Sequence, residues 1–285
     1  MVFLLFIERK VNNMRTLKDA IYGLAVGDAL GVPFEFSKRG RFECTDMIGY
    51  LIHGQPAGTW SDDTSMTLAT CMSIKNKKSV DCNNIRKEFE HWYYRAEYTP
   101  FQNVFDCGIT CSRAITNRHG CDEENSNGNG SLMRILPLAF TDCSDNIVAD
   151  VSAITHAHYI SKEGCIIYVN IARDLLKGAP IKESLASRIE DYSIYSDAKN
   201  IWNYEEDEIV SSGYIVDSFK AAMWCIATTD NYKDCVLKAV NLGGDTDTIA
   251  AIAGGLAGII YGYNNIPTEW IDKLQAKDII DSCLF

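Results

Sequence analysis

The sequence predicts an all-α, single-domain, compact multi-helix bundle. Apolar residues recur at helical spacing along most of the 285-residue chain, and strand signals are few and short. No Gly/Ser- or Pro-rich linker, low-complexity tract or repeat of about 20–50 residues divides it. A hydrophobic content of 47% is enough for one substantial core.

The first element covers residues 17–28, where Leu17, Ile21, Leu24 and Asp28 form a helical stripe that finishes in an acid. It breaks at Gly31 and Pro33. Helical patterns follow over 64–76, 82–96, 104–116, 131–140, 147–157, 162–177, 212–227, 232–241 and 247–262. In the last, Ile249, Ile252, Ala253, Leu256 and Ile260 keep the 3.6-residue period, while Gly254, Gly255 and Gly258 occupy much of the remaining surface. A helix uncharged all round belongs in the bundle centre, and this one is too short to span a membrane. Its glycines cost about 1 kcal/mol each relative to Ala, so close approach of neighbouring helices is the expected compensation. The acidic, aromatic segment 186–211 has weak periodicity and reads either as an excursion or lid or as a plain surface loop.

A formal net charge of −11 and a pI near 4.9 argue against binding a nucleic-acid backbone, which needs a basic face. Small ligands, with a cation's help, fit better. The eleven cysteines are odd in number and include no C-x-x-C pair, so reduced thiols, no structural disulfide or zinc, and a cytoplasmic setting are expected. The opening "MVFLLFI" lacks a basic leader and is too short to cross a bilayer, so neither targeting nor membrane association is expected. The codons of "ERKVNN" could carry a ribosome-binding sequence ahead of Met14. Residues 14–285 are therefore expected to be the domain, and residues 1–13 a non-native or disordered extension.

The chemistry concentrates at two acidic corners. In "GGDTDTIAAIAGG", Asp245 and Asp247 precede the glycine-rich helix. Residues two apart sit roughly 200° around a helix axis, so Asp245 must lie before the first turn. With Asp247 near the helix start and Thr248 one step on, three oxygen side chains can then face one centre. In "GTWSDDTSMTLAT", Ser61, Asp62, Asp63 and Thr64 repeat the pattern. One such corner alone reads well as a helix cap. Two corners meeting in a bundle interior would repel without a divalent ion, and oxygen-only ligands favour Mg²⁺ or Mn²⁺ over zinc.

Other patterns are weaker. Glu88 and His91 make one E-x-x-H where a di-iron bundle needs two. "DDTSM" lacks the third acid of D-D-x-x-D, and neither a P-loop nor a G-x-S-x-G motif occurs. The glycine-rich "NSNGNGSLMR" either cradles an anion, with Ser131 and Arg134 nearby, or is a turn with Arg134 in a structural ion pair. His156 and His158 read either as core or surface histidines or as ligands.

The stretches "GLAVGDALGVPFE", "WSDDTSM", "FDCGITC", "NGNGSLMR", "ITHAH", "SSGYIVDS" and "GGDTDTIAAIAGGLAG" occur in the order expected of an ADP-ribosylglycohydrolase. Over residues 17–263 the chain resembles this family, including its dinitrogenase reductase-activating glycohydrolase-like members. The resemblance implies an all-α fold with two Mg²⁺ or Mn²⁺ ions that cleaves ADP-ribose from an acceptor. It implies Asp62, Asp63, Asp245, Asp247 and Thr248 as metal ligands, with Ser61 standing where the family usually has threonine. Glu35 and Asp106 match acids that work beside the metals and the scissile bond, while Asp28 reads as structural. Gly128, Asn129, Gly130, Ser131 and Met133 match the ADP-ribose cradle; His156 matches the pocket histidine, and Tyr214 a residue packing on the nucleotide. The implied partner is the ADP-ribose moiety of a modified protein, with arginine the favoured linkage, and a monomer is expected. A non-catalytic ADP-ribose-binding or structural relative, or a hydrolase of a small ADP-ribose conjugate, are the other readings. The intact aspartates weigh against the non-catalytic one.

Overall fold

The computed structural model describes residues 15–191 and 193–285; the expected extension at 1–13 and the start at Met14 lie outside them. The helices are α1 (Leu17–Gly31), α2 (Asp62–Lys77), α3 (Cys82–Arg95), α4 (Ile109–Asn117), α5 (Asp145–Ser152), α6 (Tyr159–Leu176), α7 (Ile181–Arg188), α8 (Ile215–Ala227), α9 (Tyr232–Asn241), α10 (Thr246–Tyr261), α11 (Thr268–Lys273) and α12 (Lys277–Cys283). Among the described residues there is no sheet, only two isolated β-bridges, Cys121 with His156 and Gly128 with Tyr214. The fold is all-α. No helix among the described residues is long and apolar enough to cross a membrane, and all eleven cysteines are free thiols.

Helices α1 and α10 form the centre, with every residue of α10 from Thr246 to Ile259 buried. They run antiparallel in close contact. A Cβ on Gly23 would lie 2.3 Å from the Gly254 carbonyl oxygen, one on Gly27 2.1 Å from that of Ala250, and one on Gly31 2.3 Å from the Asp247 Cα. The glycines spaced by four on α1 thus face the small residues of α10, and the propensity cost of the glycines is offset by backbone-to-backbone packing. This contact also brings the end of α1 against the start of α10. Around this pair, α2, α6, α8 and α9 bury Leu68, Ile171, Phe219 and Val236, and Trp60, Trp92 and Trp270 are the largest fully buried side chains.

Several expectations are corrected. Residues 131–140 do not form one α-helix; they divide into 3₁₀ turns at Asn129–Ser131 and Leu136–Phe140. Pro137 lacks an N–H and its ring opposes the preceding turn. The pattern at 147–157 stops at Ser152, because residues 155–157 pair instead with Cys121. The pattern at 104–116 starts only at Ile109. Segment 186–211 is a packed excursion: 3₁₀ turns at Ser196–Asn203 and Glu206–Glu208 bury Tyr195, Ala198, Ile201 and Ile209. The Tyr195 hydroxyl donates to the Ile160 carbonyl at 2.9 Å. α7, α11 and α12 had no periodic signal because each spans about two turns or fewer.

Candidate functional site

The two acidic corners meet. Ser61 is the N-cap of α2 and accepts from the Asp63 backbone N–H, which leaves the Asp62 and Asp63 carboxylates in the first turn free of capping. Asp28, at the buried end of the α1 stripe, supports this turn from behind. It accepts from the backbone N–H of Ser61 at 3.0 Å and of Thr64 at 3.0 Å, and from the Thr64 hydroxyl at 2.6 Å. Asp28 is therefore structural.

Asp245 holds the N-cap position of α10 but makes no side-chain capping bond. The turn that delivers it uses two left-handed glycines, Gly243 (φ 71°) and Gly244 (φ 73°). A Cβ on Gly244 would meet the Ser211 carbonyl oxygen at 2.1 Å, so both conformation and space require glycine here. Across the corners, the hydroxyls of Ser61 and Thr248 reach Asp63 Oδ2 at 3.2 and 3.3 Å. Glu35, Asp245 and Asp247 each bring a carboxylate oxygen within 4.8 Å of the others.

Burial pushes these carboxylates up from their ordinary range. It does so for Asp62, beside Asp106; for Asp63, beside Asp28 and Asp62; and for Asp247, beside Glu35 and Asp106. Burial also raises Asp245, against the opposing hydrogen bond from Asn129. Asp63 Oδ1, Asp245 Oδ1 and Asp247 Oδ2 are buried with no hydrogen-bond partner among the described residues. Unpaired buried carboxylate oxygens are costly, and a hard cation is the ligand that this all-oxygen set fits.

Of these acids Asp62 and Asp245 line a pocket of 270 Å³, together with Glu35, Asp106, Asn129, Gly130, Met133, His156 and Thr248, and with Phe36, Gly108, Ile109, Thr110 and Cys111. A larger hollow of 590 Å³, between Ile74, Val80, Phe140, Ile147 and Phe285, has Asp142 as its one acid and lacks such convergence. Asp106 lies on a left-handed backbone (φ 56°), a conformation short polar residues tolerate.

The sequence missed His53. Its Nε2 bonds the Glu35 carboxylate, and a ring nitrogen of His53 and carboxylate oxygens of Glu35 and Asp106 lie within 4.8 Å of one another. Burial raises Glu35 to about 7, opposed by the His53 bond; that bond raises His53 in turn. A signal was available in "HGQPAGTWSDD", which puts His53 just ahead of the first corner. Phe36 was also missed: it is 70% exposed at the pocket mouth, and its ring lies 6.4 Å from that of His53.

The glycine-rich loop forms the opposite wall. Gly128 bridges Tyr214, the half-buried N-cap of α8, and the Asn129 N–H donates to the Gly213 carbonyl at 3.0 Å. Met133 is tied to α2 by the Thr67 hydroxyl, which reaches its carbonyl at 3.3 Å. Ser131 turns inward instead: its Oγ lies 3.1 Å from the Ser152 hydroxyl and accepts from the Cys165 thiol at 3.4 Å.

Arg134 fits neither expectation. It is wholly buried, with its guanidinium 4.4 Å from the Phe89 ring centroid and Nη2 donating to Thr155 Oγ1 at 2.8 Å. It neither reaches the pocket nor pairs with a carboxylate among the described residues. His156 lines the pocket, whereas His158 caps α6, its Nδ1 accepting from the Ile160 N–H.

The chain matches the family model described as ADP-ribosylglycohydrolase over residues 11–284. It is 33% identical to the ADP-ribosylarginine hydrolase Tri1 of Serratia proteamaculans, over 93% of this chain and 76% of that protein. It is 34% identical to the ADP-ribosyl-dinitrogen reductase glycohydrolase of Rhodospirillum rubrum, over 90% of each. A solved ADP-ribosylglycohydrolase-related protein complex contains a chain that superposes with a TM-score of 0.80 at 29% identity, covering 94% of both chains.

Proposed function

The chain belongs to the ADP-ribosylglycohydrolase family of glycosidase-type hydrolases, and from that premise we propose that it removes ADP-ribose from a modified arginine side chain of a protein. The observation that carries the reading is the convergence of two aspartate corners, with partnerless buried oxygens on Asp63, Asp245 and Asp247, and with Asp62 and Asp245 lining a pocket that the glycine-rich loop also lines. The arginine linkage is taken from the names of relatives such as the Serratia hydrolase. Eleven free thiols support action in the cytoplasm, and we expect the enzyme to work as a monomer.

Ser61, Asp62, Asp63, Asp245, Asp247 and Thr248 would hold two Mg²⁺ or Mn²⁺ ions. When bound, such ions offset the converging negative charge, orient ribose hydroxyls and lower the pKa of a nearby water. Gly128, Asn129, Gly130 and Met133 line the nucleotide's path, with Ser131 contributing through its backbone because its hydroxyl is engaged inside. Tyr214 packs beside them, and His156 donates to the ligand from the pocket wall.

Cleavage at the anomeric carbon passes through an oxocarbenium-like state that the surrounding carboxylates stabilise. Asp106 accepts the proton of the attacking water, and Glu35, held by His53, stands beside it. Asp106 then passes that proton to the departing acceptor, which leaves protonated.

The test is release of free ADP-ribose from ADP-ribosyl-arginine, ADP-ribosyl-serine and O-acetyl-ADP-ribose in Mg²⁺, Mn²⁺ or EDTA. Turnover of the arginine conjugate that requires metal is expected. Turnover of none of them under any condition would favour a binding protein, and preference for another conjugate would reassign the linkage.

A further inference from the structure

The least expected side chain in the protein is Arg134. A fully buried guanidinium without a carboxylate partner is costly, and its Nε and Nη1 have no hydrogen-bond partner among the described residues. What it does engage is directional. Nη2 donates at 2.8 Å to Thr155 Oγ1, which lies 2.9 Å from His156 Nδ1.

Arginine can only donate, so one Thr155 oxygen lone pair is occupied. The hydroxyl proton then goes to an acceptor, and of the two that Thr155 meets, the imidazole nitrogen His156 Nδ1 at 2.9 Å is a far better one than the thiol sulfur of Cys111. Nδ1 is therefore an unprotonated acceptor. Burial, together with the Arg134 charge, pushes His156 down to about 3, which keeps the ring neutral. A neutral ring that accepts at Nδ1 carries its proton on Nε2.

The ring has little freedom to do otherwise. The His156 N–H donates to the Ser152 carbonyl at 2.9 Å, and its own carbonyl accepts from the Ser152 hydroxyl at 3.1 Å. The flanking residues are fixed by Cys121: its N–H donates to the Thr155 carbonyl at 2.9 Å, and its carbonyl accepts from the Ala157 N–H at 2.7 Å. A Cβ on Gly130 would lie 2.9 Å from His156 Cε1, and one on Gly128 would lie 3.5 Å from Nε2. The ring edge bearing Nε2 thus abuts the glycine-rich loop.

We propose that Arg134 and Thr155 act from behind the pocket wall as positioning residues, fixing His156 as the Nε2–H tautomer so that it presents a neutral N–H donor to an anionic oxygen of the bound nucleotide diphosphate. The identity of the ligand rests on the reading of the glycine-rich loop as the nucleotide cradle; the tautomer does not. In a pocket whose lining includes Glu35, Asp62, Asp106 and Asp245, a fixed donor backed by a buried positive charge favours an anion where the acids would repel it.

The test uses the whole protein with ¹⁵N-labelled histidine. Long-range imidazole ¹H–¹⁵N correlations, with the His156 signals identified by their loss in His156→Gln, should show a bare Nδ1 and a protonated Nε2 from about pH 5.5 to about pH 8. Thr155→Val should shift the Nδ1 resonance and weaken ADP-ribose binding about tenfold, while Thr155→Ser restores both. Arg134→Met should move the same resonance; if it fails to fold, the Thr155 pair carries the test.

An Nδ1–H or protonated ring in the wild type, or ADP-ribose binding by Thr155→Val equal to wild type, overturns the proposal. The Nε2–H tautomer without any ADP-ribose binding would overturn the ligand assignment together with the cradle reading.

Discussion

Asn129 ties the glycine-rich loop to the acidic cluster: its Nδ2 donates to Asp245 Oδ2 at 2.8 Å and to Ser218 Oγ at 2.8 Å. Both amide protons are used, so the Asn129 side chain is held in one orientation. Asp245 Oδ2 is thereby occupied while Oδ1 is left without a partner. The glycine-rich wall and the acidic cluster consequently share a carboxylate.

Asn129→Ala should therefore weaken two affinities at once. A hydrogen bond to a charged group contributes about 1.5–3 kcal/mol, so Mn²⁺ and ADP-ribose binding should each fall by roughly tenfold or more. Isothermal titration of each ligand checks this. Loss of ADP-ribose affinity with unchanged Mn²⁺ affinity would mean that Asn129 touches the nucleotide without orienting Asp245.

The buried acids set a pH dependence for the metal-free protein. Burial raises Asp62, Asp63 and Asp247 well above the ordinary range, Asp28 to about 6 and Glu35 to about 7. Between roughly pH 4, where unfolded-chain carboxylates titrate, and about pH 7, the native state then binds more protons than the unfolded chain. These acids then contribute stability that is lost as pH rises through that window, and the opposite contribution of His156, whose proton is bound only in the unfolded chain there, offsets one of them. EDTA-treated protein should melt at a higher temperature near pH 5.5 than near pH 8. Mg²⁺ or Mn²⁺ at about 100 times its Kd should add about 2.7 kcal/mol, or roughly 5–10 °C, at the higher pH. A melting temperature indifferent to metal at both pH values would remove the cation from this site.

The α1–α10 contact should be intolerant of one methyl group. Gly27→Ala would place its Cβ 2.1 Å from the Ala250 carbonyl oxygen, and the clash is with backbone that cannot rotate away. A loss of about 1–3 kcal/mol is expected in urea unfolding. Gly108→Ala, whose Cβ would meet nothing within 4 Å, should be close to neutral. Because Gly31 abuts Asp247 in the same contact, the Gly27 variant should also lose activity beyond its loss of stability.

The sequence was most informative where side-chain type alone decides the outcome. The period of Ile249, Ile252 and Leu256 and the glycines of α10 required a buried helix with close neighbours, and α1 supplies them. The two aspartate corners could be paired because four converging carboxylates repel one another unless a cation lies between them. Direction was not legible. Ser131 and Arg134 follow the glycine loop in sequence, yet both turn into the core, and spacing in an irregular segment does not fix which way a side chain points. His53 stayed hidden because its role comes from a long-range contact with Glu35 in a loop without periodicity. Residues 131–140 look helical by composition, but Pro137 and the tertiary ties at Asn129 and Met133 divide them into separate turns.

The acids should separate into two functional classes. Asp245→Asn combined with Asp247→Asn should abolish turnover and metal binding while the circular dichroism stays helical, since amides are poorer ligands and apolar packing holds the bundle. Glu35→Gln and Asp106→Asn should keep Mn²⁺ affinity and lose kcat. Asp106 should cost more, because it lines the pocket on a loop ahead of α4 with Gly108 leaving room for a water, whereas Glu35 is already engaged by His53. A general base contributes typically about 10²–10⁴-fold, so Asp106→Asn should lose that much kcat with ADP-ribose affinity changed far less. His53→Gln should give a smaller loss, confined to kcat, because it loosens Glu35 without removing a carboxylate. Single-turnover rates measured beside calorimetry of Mn²⁺ and ADP-ribose decide the matter. If Asp106→Asn and Glu35→Gln lose metal affinity as severely as the Asp245 and Asp247 pair, all of these acids act as ligands and the proton acceptor must be sought elsewhere in the pocket.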